Sequence, residues 1–313
     1  MRQLHTAVPS NSGAERISIS QPTASVGLPV FNGEAYLARM VTSLLDQTLR
    51  DLEVIIADNA STDGTQDICE DFSRRDRRVR YIRQPFNIGA PRNWNVVVNE
   101  ARGEFFKWSS ASDIVPPDAL ARCVDVLRSD PSIVLCFGRT QFIDEHEHLL
   151  EETSDSDIDV SDELPSARFE RVCSELRQNN AQCGVYRLEA LRRTRLDRMY
   201  PSGDMALMEE LALYGKFRLL PEVLLLRRKT RSSFTAMLSP LERQRVYDPN
   251  AARPMKLIRT RRHLDKALSI WRAPISPVEK LRAYKFAARS TWWDRAALGQ
   301  EWRSLFRGAG RTG

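Results

Sequence analysis

Asp58, Asn59, Ser61, Thr62 and Asp63 follow one short apolar run, and Ser112 and Asp113 follow another. Carboxylates that converge on one cleft need a compensating cation. A divalent ion bridging protein carboxylates to a substrate diphosphate supplies one, since Mg²⁺ and Mn²⁺ take oxygen ligands and commonly combine one or two carboxylates with phosphate oxygens. Asp113 is the leading metal candidate. Helix capping ahead of Pro116, or plain solvation, accounts for the same residue equally well. Asp58 opens a stretch rich in turn formers, where Asx-turns are the ordinary explanation, and Thr62 or Asp63 suits the start of a helix. No P-loop is present, and no GxGxxG follows the first apolar run, which argues against a phosphate-cradling kinase and a dinucleotide oxidoreductase.

The apolar pattern names the elements that must position these residues. Residues 24–28, 52–57, 79–83, 104–108 and 133–137 read as strands, and residues 34–47, 65–75, 87–101 and 116–129 as helices. Tyr36, Leu37, Met40, Val41, Leu44 and Leu45 share one face of the first helix. Such alternation predicts βαβ units and a mostly parallel sheet with helices on its faces. In open sheets of this kind ligands bind beyond the carboxyl ends of the strands. Pro29, Phe31, Asn32 and Gly33 are thereby expected beside Asp58 and Asp113. Further on, residues 167–177 and 204–214 read as helices, 217–227 as a strand, and the chain from Met255 as helices carrying Trp271, Trp292, Trp293 and Trp302.

Length and composition bound the alternatives. The 313 residues are 42% hydrophobic and 28% charged, enough for a substantial core and unlike collagen, a disordered chain or a disulfide scaffold. The five cysteines form no CxxC pair, so buried reduced thiols are expected rather than zinc ligands. No apolar run has the length of a membrane span, and residues 1–22 read as a polar, flexible leader, so a cytoplasmic protein is expected. The net charge of +6 is uneven: residues 253–313 hold 15 Lys/Arg against 4 Asp/Glu, leaving the rest of the chain acidic. Residues 151–163, with seven Asp/Glu and no Lys or Arg, read as a solvated loop or linker. The basic tail reads as a helical appendage with a solvated face, or as a docking surface for anionic headgroups that would hold the protein peripherally on a membrane. No recognised nucleic-acid module is present.

The stretch Gly27-Leu28-Pro29-Val30-Phe31-Asn32-Gly33-Glu34-Ala35-Tyr36-Leu37 resembles the opening of family 2 glycosyltransferases, and Ser43-Leu44-Leu45-Asp46-Gln47-Thr48 continues the resemblance. Glu53-Val54-Ile55-Ile56-Ala57-Asp58-Asn59-Ala60-Ser61-Thr62-Asp63-Gly64-Thr65 is similar to that family's nucleotide-binding strand and loop. Asn87-Ile88-Gly89, Ala101-Arg102-Gly103-Glu104 and Pro117-Asp118-Ala119-Leu120 keep its order over residues 24–130. The resemblance implies a GT-A fold: an α/β domain over 23–235, with a Rossmann-like nucleotide half at about 23–130 and an acceptor half at about 131–235. Residues 236–313 follow as a basic helical extension. It implies transfer from a nucleotide sugar, a UDP-sugar by default, with inversion and with Mn²⁺ or Mg²⁺. The acceptor is a saccharide, a lipid-linked saccharide or a small molecule, in polysaccharide or glycoconjugate biosynthesis. Pro29, Phe31, Glu34, Asp58, Asn87 and Ser112 fall at donor-nucleotide positions, Asp113 at the last acid of the metal motif, and Asp204 at the catalytic base, with Glu209 and Glu210 left as helix-face residues. Two departures stand out: the acidic motif reads Ala111-Ser112-Asp113, with one acid, and Thr230 stands near a customary His. Arg228 and Lys229 are therefore expected to hold the diphosphate, since Arg and Lys suit phosphate. The alternatives are a catalytically degenerate glycosyltransferase fold acting as a docking module, and a nucleotidyltransferase, which would normally carry an early basic Gly-rich loop that is not seen. The C-terminal helices suit three roles: a homodimer contact, a cover over the site, or a membrane surface.

Overall fold

A computed structural model describes residues 21–153, 158–229 and 238–307. Most of the leader, Thr230 and the boundary at 235/236 lie outside the described residues.

Strands β1 (Ala24–Val30) and β2 (Leu52–Asp58) are buried along their whole length, as strands sandwiched between helix layers must be. With β3 (Val79–Arg83) and β4 (Phe105–Trp108) they form the parallel half of one sheet. The other half holds β5 (Ile133–Ile143), β6 (Leu149–Thr153), β7 (Val185–Arg187) and β8 (Lys216–Arg228). The order is β3-β2-β1-β4-β7-β5-β6, with β8 parallel to β5. Among the described strands, only β6 and β7 run antiparallel to their neighbours. The mostly parallel α/β sheet flanked by helices matches expectation.

Two apolar layers sit on its faces. Leu37, Met40, Val41 and Leu44 of α1 (Leu37–Leu45) pack on one face with Cys69 of α2 (Thr65–Arg75) and Leu120 and Leu127 of α4 (Ala119–Ser129). Val97 and Val98 of α3 (Ala90–Glu100) cover the other with Val172 of α5 (Pro165–Glu175), Leu191 of α6 (Leu188–Arg193) and Leu207 of α7 (Gly203–Leu211). All five cysteines are free thiols.

Three expectations need correction. The first helix starts at Leu37 rather than residue 34, because residues 31–36 are drawn into a hydrogen-bonded loop with Asn32 at φ 51°. The described ends of the acidic stretch are not a free linker: Glu151 and Glu152 belong to β6, and buried Val160 exchanges backbone hydrogen bonds with Phe217, while residues 154–157 lie outside the described residues. Glu209 and Glu210 are buried in α7, not on a solvated face. Glu210 accepts from Arg198 and from the Arg195 amide (3.1 Å), and Glu209 from Arg262 (3.1 Å), so both charges are compensated where they are desolvated.

Helices α8 (Pro240–Tyr247), α9 (Ile258–Arg272), α10 (Pro277–Trp293) and α11 (Arg295–Arg307) follow. Ile270, Ala273, Ala283, Phe286 and Ala287 make a third, small core against Phe169 and Leu213, which fastens α9 and α10 to the main body.

Candidate active site

Beyond the carboxyl ends of β1, β2 and β4 the surface opens into three adjoining hollows. One, of about 330 Å³, lies between Pro29–Tyr36 and Ser110–Ser112 and reaches Trp94. Trp94 also walls a second, of about 380 Å³, that holds Asp197 and Asp204. Phe31 and Ala90 lead from these into a third, of about 350 Å³, closed by Glu242, Arg245 and Val246 of α8. The sheet places the strand-end residues as expected, and Trp94, set in α3 against Trp108 (ring centroids 6.1 Å), forms the partition between hollows.

The two loops nearest the first hollow are laced together. Asn32 N donates to Ser61 Oγ (2.9 Å), Thr62 N to Asn32 Oδ1 (2.9 Å), Gly33 N to Thr65 Oγ1 (2.8 Å) and Glu34 N to Asp63 Oδ2 (3.1 Å). Glu34 returns a carboxylate to Gly64 N at 2.6 Å, at the start of α2, where negative charge is favoured. Glu34, itself exposed, thus braces the donor loop through one carboxylate oxygen. Pro29 lines the hollow, and Phe31 stands half exposed at its mouth.

Asp58 is fully buried. Its Oδ1 accepts the Ser61 amide (2.8 Å), and its Oδ2 accepts the Tyr81 hydroxyl (2.9 Å) and an ion pair from Arg83. The carboxylate anchors its own loop to β3. Asn87 Oδ1 accepts from Asn59 Nδ2 (2.8 Å) and Gly89 N (2.9 Å), while its Nδ2 has no partner among the described residues. That amide is a free donor at the edge of the third hollow.

Asp113 is buried at the base of the β4 loop. Ile114 and Leu226 exchange backbone hydrogen bonds (2.9 Å each), pinning this loop to the end of β8. Burial pushes the Asp113 carboxyl up to about 6, against the pull of Arg227, Lys107 and Arg228 and a backbone hydrogen bond. Its Oδ1 accepts Arg228 N (3.1 Å), and its Oδ2 has no hydrogen bond among the described residues. Those residues contain no cluster of three or more His, Cys, Asp and Glu able to hold a metal. A divalent ion at Asp113 would therefore draw most of its ligands from a diphosphate and water. Ser112 lines the hollow beside it.

Arg228 and Lys229 do not face the cleft. The Arg228 guanidinium is buried over the Tyr36 ring (4.5 Å) and donates to the carbonyls of Ser112 (3.0 Å), Asp144 (2.9 Å) and Glu145 (3.0 Å) and to Glu147 (3.1 Å). Lys229 turns away to pair with Glu152 above Phe142. Arg227, one residue before Arg228 and so turned to the opposite face of the strand, is exposed, donates to Asn180 and exerts its charge on Asp113.

Asp204 stands in the first turn of α7, half buried, and its Oδ2 accepts Asn179 Nδ2 at 3.1 Å. Asp197 joins it in the second hollow. Burial, then the charge of Asp204, pushes the Asp197 carboxyl up to about 7. Tyr247 of α8, in the same hollow, is pushed up to about 12 by burial and by both carboxylates. Sequence reasoning passed over Asp197 and Trp94, and within the basic cluster it favoured Arg228 and Lys229 over Arg227. Asp197 lies in an irregular segment without periodicity, while the i+1 relation of Arg227 to Arg228 on a strand is a signal that could have separated the two.

Comparisons with known proteins agree with this geometry. The family model described as "Glycosyl transferase family 2" matches residues 25–196, more than half of the chain. Chondroitin synthase of Escherichia coli is 32% identical over 161 residues, which make up 51% of this chain and 23% of that protein. The chain spans less than half the length of the first curated relatives it matches. Among solved structures, S. aureus TarS 1–349 in complex with UDP-GlcNAc superposes with a TM-score of 0.57 at 18% identity, covering 88% of this chain and 74% of that one. The mannosyltransferase PcManGT from Pyrobaculum calidifontis, in complex with GDP-Man and Mn²⁺, superposes with a TM-score of 0.53 at 16% identity, covering 94% and 77%.

Proposed function

The chain belongs to glycosyl transferase family 2, and on that premise we propose that it moves a sugar from a nucleoside diphosphate sugar to an acceptor hydroxyl with inversion, in a GT-A fold. The observation that carries this reading is the divided cleft. The half-buried carboxylate of Asp204 lies on one side of Trp94, and the Pro29–Phe31 loop and Ser112 lie on the other. Donor and acceptor can then meet across the indole.

The nucleotide takes the Phe31 side, with Phe31 and Pro29 against the base and the free amide of Asn87 as a hydrogen-bond donor. Ser112 and Arg227 face the diphosphate. Asp113 is the residue to hold a divalent ion, Mn²⁺ or Mg²⁺, which when bound supplies Lewis-acid stabilisation of the leaving diphosphate. Asp204, oriented by Asn179, takes the proton of the acceptor hydroxyl. The hydroxyl oxygen forms its bond to the anomeric carbon from the face opposite the nucleotide, and the bond from that carbon to the diphosphate oxygen breaks. One displacement inverts the anomeric centre.

A UDP-sugar is the donor to try first, because a superposable protein binds UDP-GlcNAc; GDP-mannose, bound by the other, comes second. The likeness to chondroitin synthase favours a saccharide acceptor, free or lipid-linked, and a place in polysaccharide or glycoconjugate synthesis. The test is calorimetric titration with UDP, GDP and dTDP, each with and without Mn²⁺, followed by NMR of the product formed from the matching sugar nucleotide. Binding of one nucleotide and an inverted anomeric signal support the proposal. A folded protein that binds none of the three overturns it.

A further inference from the structure

We infer that the outer face of the α9–α10 hairpin docks on an anionic phospholipid bilayer. On α9, Leu264, Leu268 and Trp271 are exposed at spacings that stack them on one face, opposite the buried Ser269, Ile270 and Ala273. On α10, Val278, Leu281 and Trp292 repeat this arrangement opposite Ala283, Phe286 and Ala287. The two helices run antiparallel, tied by Tyr284 Oη to the Ala267 carbonyl (3.2 Å) and by Lys280 Nζ to the Trp271 carbonyl (2.7 Å). Their apolar stripes therefore lie side by side. Eight of the thirteen exposed large apolar side chains among the described residues fall on α9–α11, so the apolar surface is concentrated here and not scattered. Trp271 and Trp292 are 66% and 65% exposed.

The charge on the same helices selects the occupant. Residues 253–313 have an excess of +11, and Arg261, Arg272 and Lys285 are exposed on the hairpin with no acidic partner among the described residues. Arg295 sits over the Trp292 ring at 4.4 Å and Arg289 over Trp293 at 5.2 Å. Indoles flanked by cations suit the boundary between headgroups and acyl chains, where Trp anchors and Arg or Lys reach the phosphates. Face-to-face pairing with a second copy would oppose two surfaces of the same strong positive charge. Nucleic acid would leave the Leu and Val stripe in water. No helix among the described residues is long and apolar enough to cross a membrane, so the hairpin lies on the surface. Arg262 and Lys266 of α9 pair with Glu209 of α7, the helix whose first turn holds Asp204. Docking would therefore fix the orientation of the second hollow relative to the bilayer.

The experiment is flotation of the full chain with phosphatidylcholine vesicles and with vesicles containing phosphatidylglycerol, followed by tryptophan fluorescence. Binding to the anionic vesicles only, weakening with salt and shifting Trp emission to the blue, is the expected result. A triple variant with Arg261→Glu, Arg272→Glu and Lys285→Glu should lose roughly 100-fold or more in vesicle affinity, at roughly fivefold for each basic charge removed from the surface. Trp271→Ala with Trp292→Ala should lose binding while keeping the wild-type circular dichroism, since both side chains are exposed. Absence of flotation, or equal binding to neutral and anionic vesicles, overturns the inference. So does concentration-dependent dimerisation that the tryptophan variant abolishes, or RNA binding that it leaves intact. Asp204→Asn should float like the wild type, so this result is independent of whether the proposed sugar transfer stands.

Discussion

Asp113 accepts the backbone N–H of Arg228 at 3.1 Å, while the Arg228 guanidinium donates back to the Ser112 carbonyl at 3.0 Å. The loop that ends in the proposed metal ligand is thus clamped to the last residue of β8. Arg228 is a strut, and its charge is spent inside the protein. Arg228→Leu leaves the carbonyls of Ser112, Asp144 and Glu145 without this donor, and should cost about 3 kcal/mol or more. Lys229→Ala breaks the partly exposed pair with Glu152 and the contact over Phe142, and should cost about 1 kcal/mol or less. Urea denaturation of both variants checks this. A stable Arg228→Leu protein that has lost only nucleotide affinity would restore the diphosphate role to Arg228.

How much of this was legible beforehand follows from which residues obey a period. The strands β1 to β5 and their helices show in the sequence because buried parallel strands are continuous apolar runs and α1 and α4 carry clean apolar faces. The position of the cleft followed from topology alone. Glu34 and Asp58 could be picked out as polar residues near strand ends, but that the one carboxylate meets Gly64 N and the other Arg83 could not. Sequence type marks a side chain as polar and says nothing about which donor it meets. Asp197 was hidden because its approach to Asp204 is made by an irregular segment, with Asn95 holding the Asp197 backbone (3.1 Å and 3.0 Å).

Nucleotide binding should separate into two parts. Arg227→Ala should weaken UDP binding about 10- to 100-fold with or without Mn²⁺, the weight of a charge-assisted contact. Asp113→Asn should abolish the Mn²⁺-dependent increment and leave the metal-free affinity nearly unchanged. Calorimetry on both variants distinguishes the roles, and an Asp113→Asn protein that keeps its full response to Mn²⁺ would remove Asp113 from the metal site.

If Asp204 is the base, Asp204→Asn should lower kcat by about 10²–10⁴-fold with little change in donor KM. Asn179→Ala should lower kcat more mildly, because the 3.1 Å hydrogen bond that orients the carboxylate is lost while the carboxylate stays. Steady-state kinetics against donor at saturating acceptor gives both numbers. Unchanged kcat in Asp204→Asn would move the base elsewhere, with Asp197 the nearest alternative carboxyl.

Asp197 makes stability depend on pH in a stated direction. Its folded value, about 7, lies above the ordinary carboxyl value of 3.8. Between these values the folded state holds the proton more tightly than the unfolded one. Stability from this group is therefore greatest at about pH 4 and falls as pH rises through 7. Asp197→Asn removes the ionisation, so the variant should withstand more urea than the wild type at pH 8, and the gap should close as pH falls to about 4. A gap that is constant with pH would mean that burial does not hold the proton on Asp197.

Gly89 tests whether α8 is a wall of the cleft or only lies near it. It sits just before α3 at φ +89°, and a β-carbon there would lie 2.3 Å from the Tyr247 carbonyl oxygen and 3.4 Å from Pro249 Cδ. Gly89→Ala is thus opposed twice, by a backbone conformation costing about 1–3 kcal/mol for other residues and by the C-terminal end of α8. That helix buries only Gln244, so it is the element that yields. Its displacement would open the third hollow at Val246 and the second at Tyr247. The expected outcome is a rise in KM for both substrates that exceeds the loss of stability, read by kinetics beside urea melts. Gly299→Ala is the control: its β-carbon meets nothing closer than the tip of Arg303 at 3.7 Å, and in α11 it should add about 0.5–1 kcal/mol by helix propensity. If Gly89→Ala lowers stability while leaving both KM values as they were, α8 does not shape the substrate cleft.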